Sequence, residues 1–124
     1  MIFVNGSIPR SVADEVKQVR PDARFKGELF PLNTKDPVWL RRAGQEGWLV
    51  ITHDKKIRKR YGERQAIMDH HVGCFILTYK EPLRKEEIAA IVLANLEKME
   101  TPFTRTPRPF IFTVDKHGTF RRYR

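Results

Sequence analysis

The chain has 124 residues, 40% of them hydrophobic, with 24 Lys plus Arg against 15 Asp plus Glu, a formal charge of +9. That length and apolar content build a folded core and exclude wholesale disorder, while the single cysteine, Cys74, excludes a disulfide framework and a multi-cysteine zinc site. No apolar run approaches the roughly 20 residues that cross a bilayer, and Met1-Ile2-Phe3-Val4 lacks a signal peptide's charged start, so a cytoplasmic protein without a membrane partner is expected.

Ile2-Phe3-Val4 reads as a buried strand ended by the turn Asn5-Gly6-Ser7. A helix follows from Pro9, with Val12, Val16 and Val19 at helical spacing, and Pro21-Asp22 breaks it. Ala23 to Lys26 fits a short second strand, and Gly27, Pro31 and Asn33 mark residues 27–35 as a loop. Asp36-Pro37 reads as N-cap and first position of a helix through Trp39, Leu40 and Ala43, closed by Gly47. Trp48-Leu49-Val50-Ile51 is the strongest strand, apolar without alternation, as in a parallel sheet covered on both faces. Residues 63–70 fit one or two helical turns, and Val72 to Thr78 repeats the buried-strand pattern. Residues 84–100 carry Ile88, Ile91, Val92, Leu96 and Met99 on one helical stripe. Pro102, Pro107 and Pro109 mark an extended connection, and Phe110 to Arg124 reads as a hairpin turning at Lys116-His117-Gly118. Trp39 and Trp48 sit in apolar contexts that suit the core.

The charge is unevenly placed. Residues 55–60 carry +5 and residues 101–124 another +5, which leaves −1 for the rest of the chain. Such clustering is the footprint of phosphate-backbone binding, although a charge run can equally be a solvated face.

Strands alternating with helices imply a mainly parallel sheet with helices on both faces, and ligands in such sheets sit beyond the strands' carboxyl ends at the switch point. That rule selects Asn5 after the first strand, Thr52-His53-Asp54 after the Trp48–Ile51 strand, and Asp36. An acidic cluster beside a basic segment suits a metal-dependent nuclease, because Mg²⁺ takes oxygen ligands from one or two carboxylates, water and phosphate. Asp54 is open to two readings, a metal ligand or the N-cap of a following turn. Asp36 has the same pair of readings, and Glu63 is either a further carboxylate of the site or an ion-pair partner of Arg60 and Arg64. The histidines show no ligand spacing, and no Gly-rich phosphate loop or Ser/His/Asp set is visible.

Phe3-Val4-Asn5-Gly6-Ser7-Ile8-Pro9, the block Asp36-Pro37-Val38-Trp39-Leu40 through Gly47-Trp48-Leu49-Val50-Ile51-Thr52-His53-Asp54-Lys55-Lys56-Ile57-Arg58, then Glu63-Arg64-Gln65-Ala66, Phe75-Ile76-Leu77 and Pro107 to Phe112 together resemble the PIN-like ribonuclease domains. The match covers nearly the full length and points to the compact branch of VapC-type toxins of toxin–antitoxin pairs. The resemblance implies a three-layer α/β/α sandwich with a C-terminal β-hairpin, one domain over residues 1–124 in which 101–124 are the basic, proline-rich connection and hairpin. It implies endonucleolytic cleavage of RNA, with Mg²⁺ or Mn²⁺ held by Asp36, Asp54 and Asn5, Thr52 orienting the site, and Glu63 as a further candidate. Lys55, Lys56, Arg58, Lys59 and Arg60, with Arg10, would contact RNA phosphates, and the basic tail would extend the track. A cognate antitoxin is the implied protein partner, and an exposed hairpin edge leaves a homodimer open.

One position departs from the family pattern. Asn5 stands where aspartate is usual, offering a carbonyl oxygen but no charge, so the cation would be held less well. An engineered inactivating substitution, a naturally weakened enzyme and a site rebuilt around Glu63 all fit. A non-catalytic RNA-binding module on a decayed PIN-like fold is the competing function.

Overall fold

In the computed structural model, which describes residues 1–54 and 60–123 (Tyr61 by its backbone), the unbroken apolar runs lie side by side at the centre. The strands are β1 (Ile2–Val4), β2 (Arg24–Phe25), β3 (Leu49–Thr52), β4 (Gly73–Leu77), β5 (Phe110–Val114) and β6 (Phe120–Tyr123). Their order in the sheet is β2-β1-β3-β4-β5-β6, parallel throughout except for the β5–β6 hairpin. β1, β3 and β4 are buried at every position, which is why they show no polar alternation.

Alternate side chains feed two cores. Ile2, Val4, Leu49, Ile51, Phe75, Leu77 and Val114 face one side, covered by α1 (Arg10–Val19) and α5 (Lys85–Arg105). Phe3, Val50, Cys74, Ile76 and Ile111 face the other, covered by α3 (Asp36–Glu46) and α4 (Tyr61–Asp69). With the short α2 (Lys26–Leu29) this makes the α/β/α sandwich with a C-terminal hairpin. Trp39 and Trp48 belong to the second core, stacked against Phe3 with ring centroids 5.1 and 5.2 Å away.

Two glycines are needed where they stand. Gly47 ends α3 at φ +70°, with its N–H donating to the carbonyls of Ala43 and Gly44. Gly44 lets α3 lie against the end of α4: a Cβ there would be 1.8 Å from the carbonyl oxygen of His70.

Several local expectations are corrected. Val19 is half exposed, because α1 has turned its stripe off the sheet by its last residue. Lys35, not Asp36, is the N-cap of α3, and Asp36 is its first helical residue. The expected loop over 27–35 begins inside α2, where Glu28 Oε1 accepts the Phe25 N–H at 2.9 Å. Pro102 lies inside α5 rather than after it: the carbonyl it deprives of a donor belongs to exposed Lys98, where water can serve. Among the described residues no helix is long and apolar enough to cross a membrane.

Candidate active site

The chain leaves β1 for β2 on one side and reaches β3 on the other, so the switch point lies between β1 and β3. Beyond their carboxyl ends is a cleft of about 300 Å³ lined by Asn5, Gly6, Ser7, Asp36 and Asp54, with Lys26 and the apolar side chains of Phe25, Phe30, Pro31 and Leu32. Three acceptor residues singled out by the sequence therefore share one wall-bounded space. Each arrives by a different element: Asn5 follows β1, Asp54 follows β3, and Asp36 opens α3.

Behind the cleft a hydrogen-bond network fixes the first two. The Asn5 backbone N–H continues the β1–β3 ladder to the Ile51 carbonyl at 2.9 Å. Its side-chain amide donates to Thr52 Oγ1 at 2.8 Å, and Thr52 Oγ1 also accepts the Asp54 N–H at 3.1 Å. Thr52 is wholly buried and Asn5 is 4% exposed, so these bonds form away from competing water. Ser7 Oγ joins the network, 3.0 Å from Thr52 Oγ1 and accepting the His53 N–H at 3.0 Å. The ring of His53 stacks flat on Tyr79, 3.9 Å between centroids, and neither residue lines the cleft. Asp36 is steered from the core: the Trp39 indole N–H donates to its Oδ1 at 2.8 Å.

The donor set is all oxygen, two carboxylates plus the Asn5 carbonyl, which suits a hard divalent ion completed by water and phosphate oxygens. Among the described residues no group of three or more His, Cys, Asp or Glu side chains could hold a metal ion.

Other expected site residues lie elsewhere. Glu63 lines a neighbouring groove that shares Leu32 and Asp36 with the cleft, and there pairs with Arg60 at 3.4 Å. Arg10 stands at the rim with its guanidinium 5.8 Å from the Phe25 ring centre. Lys55, Lys56, Arg58 and Lys59 lie outside the described residues. Among the described residues, no basic side chain of 101–123 lines the cleft. β6 is three strands from β3, roughly 14 Å at the usual spacing. Lys116 is paired with Glu81 at 2.5 Å, and Arg108 and Arg122 lie over Phe103 and Phe112.

Sequence reasoning missed Ser7 and Lys26. Ser7 had a signal in its place two residues after Asn5, in the loop that the switch-point rule selects. Lys26 had none, because its position depends on α2, a single turn too short for periodicity to reveal. Glu28, without a role in the sequence, holds that turn: beside capping it, the carboxylate pairs with Lys17 of α1 at 2.5 Å, which with the Phe25 N–H keeps its pKa below the ordinary glutamate value.

Residues 1–79, from β1 just past β4, match the model of a family described as "PIN like domain". A protein of Mycobacterium tuberculosis named "Putative ribonuclease VapC45" is 30% identical over 121 residues, covering 91% of this chain and 84% of that protein. No solved structure matches the chain.

Proposed function

The chain belongs to the PIN-like domain family, on the VapC-type branch, and from that premise we propose that it is a metal-dependent RNA endonuclease, the toxin of a toxin–antitoxin pair. The observation that carries this reading is the convergence of Asn5, Asp36 and Asp54 on one cleft at the switch point of a parallel sheet. RNA is the substrate and an antitoxin protein the partner, as the relative's printed name and the VapC type suggest. Action in the cytoplasm and residues 1–124 as one PIN-like unit complete the reading; the latter is supported by β5 and β6 continuing the same sheet.

Asp36, Asp54 and the Asn5 carbonyl would hold Mg²⁺ or Mn²⁺. When bound, such an ion supplies Lewis-acid charge against the scissile phosphate and acidifies the attacking water. The chain's own groups do the positioning. Thr52, gripped by the Asn5 amide and the Asp54 N–H, fixes the backbone from which Asp54 projects. Trp39 aims Asp36. Lys26 places positive charge in the cleft, its Nζ also donating to the Thr34 carbonyl at 3.0 Å. Phe25, Phe30, Pro31 and Leu32 form an apolar wall on which nucleobases can rest while the phosphate faces the carboxylates. Water adds to phosphorus, one P–O ester bond breaks, and the departing oxygen is protonated from solvent, with no covalent enzyme intermediate. Arg10 at the rim, Arg60 in the adjoining groove and Lys55, Lys56, Arg58 and Lys59 complete the proposed phosphate contacts.

A second reading is favoured by Asn5 itself. With one carboxylate fewer than the family pattern, the chain would bind RNA without cutting it. Incubating a mixed single-stranded RNA with Mn²⁺ or Mg²⁺ separates the two. Metal-dependent fragments that vanish in Asp54→Asn establish the nuclease. RNA that is bound but stays intact in every divalent ion establishes the binding module.

A further inference from the structure

We propose that Ser7 is a phosphate-binding donor of the cleft, and that Asn5 sets the direction in which its hydroxyl hydrogen points. The inference rests on the RNA reading above and names a contact by which the cleft holds the substrate backbone.

The Asn5 side-chain amide has one fixed orientation. The Gly6 N–H donates to one side-chain atom of Asn5 at 2.7 Å, and only the carbonyl oxygen can accept it. The NH₂ group therefore faces inward, toward Thr52 Oγ1 at 2.8 Å and, more distantly, Ser7 Oγ at 3.4 Å. Thr52 Oγ1 accepts from this amide and from the Asp54 N–H, so both of its acceptor positions are filled and its own hydrogen must be given away. The acceptor within reach is Ser7 Oγ at 3.0 Å. Ser7 Oγ takes that hydrogen and the His53 N–H, and is filled in turn.

Ser7 is thus left with a saturated oxygen and a hydrogen that has no acceptor among the described residues. It is exposed and lines the cleft. A filled oxygen cannot serve a cation or act as a base; the group can only donate outward. The acceptor that RNA brings there is a non-bridging phosphate oxygen, and bonds to charged acceptors are the stronger kind. Lys26 supplies the neighbouring charge: its stem passes over Gly6, where a Cβ would lie 3.8 Å from Lys26 Cδ. An aspartate at position 5 would have no hydrogen to give. The Thr52 and Ser7 hydroxyls would then turn inward to its carboxylate, and the outward donor would be lost.

The test is the affinity of a short fluorescein-labelled single-stranded RNA, measured by anisotropy in EDTA at low salt. Ser7→Ala is expected to weaken binding about tenfold, the loss that follows removal of one donor to a charged acceptor. Ser7→Thr, which keeps the hydroxyl, is expected to bind as the parent does. In an Asn5→Asp background, Ser7→Ala is expected to change nothing further. Parent-like binding by Ser7→Ala overturns the proposal and leaves the RNA reading standing. Equal losses in the Ala and Thr variants overturn it too, because the effect then follows the loop and not the hydroxyl. A tenfold loss that persists beside Asn5→Asp removes the role given to Asn5. No binding by the parent chain overturns the RNA reading itself, and the proposal falls with it.

Discussion

Trp39 and Asp36 are joined by a 2.8 Å hydrogen bond that runs from the core to the cleft. The indole is fully buried and stacked on Phe3, so a rigid ring aims a half-buried carboxylate. Groups that orient a metal-ligating carboxylate typically change affinity for the ion 10–100-fold when removed. Trp39→Phe, which keeps an aromatic ring but no N–H, should raise the Mn²⁺ concentration for half-maximal RNA cleavage about tenfold. An unchanged metal titration would show that Asp36 does not depend on the indole.

Asn5→Asp adds a third carboxylate to the cleft. The ion concentration giving half-maximal cleavage should fall about tenfold, since each carboxylate adds charge to a hard-cation site. Titrating Mg²⁺ against cleavage rate in the parent and the variant checks this; equal midpoints would mean that position 5 does not contribute to holding the ion.

Gly44→Ala should destabilise the fold by about 2 kcal/mol or more, because overpacking against a backbone carbonyl cannot be relieved by a side-chain rotation. The Cβ would fall 1.8 Å from the His70 oxygen, forcing α3 away from the end of α4. Urea unfolding measures the loss. A variant as stable as the parent would show that the two helices can separate at little cost.

Arg20 and Glu100 form a two-pronged pair, 2.9 and 2.7 Å, that ties the end of α1 to α5. The Arg20 hydrogen bond holds the Glu100 carboxyl below its ordinary value of 4.5, so the stabilisation is present above that pH and lost as pH falls through the depressed value. Both side chains are about a third exposed, and solvent screening limits the pair to at most about 1 kcal/mol. Glu100→Gln should therefore be slightly less stable at pH 7 and converge with the parent in acid. Thermal melts from neutral pH into acid would expose the error if the gap stayed constant as pH fell well below the ordinary carboxylate range.

The central strands were legible because burial on both faces leaves a plain mark: Leu49-Val50-Ile51 has no polar alternation to disguise it. The switch-point rule then located Asn5, Asp36 and Asp54 without coordinates. What the sequence concealed depends on neighbours far away in the chain. The ordinary breaker rule ends a helix at Pro102, yet α5 continues through it to Arg105, with Phe103 just past the proline packed against the core. Asp36 before Pro37 has the composition of a cap, and only the placement of Trp39 turns its carboxylate elsewhere. The charge of the C-terminal hairpin looked like a nucleic-acid arm continuous with the cleft, and the structure places Lys116 in the turn and Arg121 and Arg122 on β6, the edge strand three strands from β3. Net charge along a segment does not say which edge of a sheet the segment will occupy.

The stack of Trp39, Phe3 and Trp48 gives the protein a built-in optical probe. The chain has two tryptophans, and both sit in this one cluster. Tryptophan emission, which excitation at the red edge of the indole band separates from that of the three tyrosines, thus originates beside the cleft. Because one of the two indoles is bonded to Asp36, any ion or phosphate that draws on that carboxylate alters the electrostatic field at the fluorophore. Occupancy of the cleft can then be followed in the unlabelled protein, in real time and in the absence of turnover.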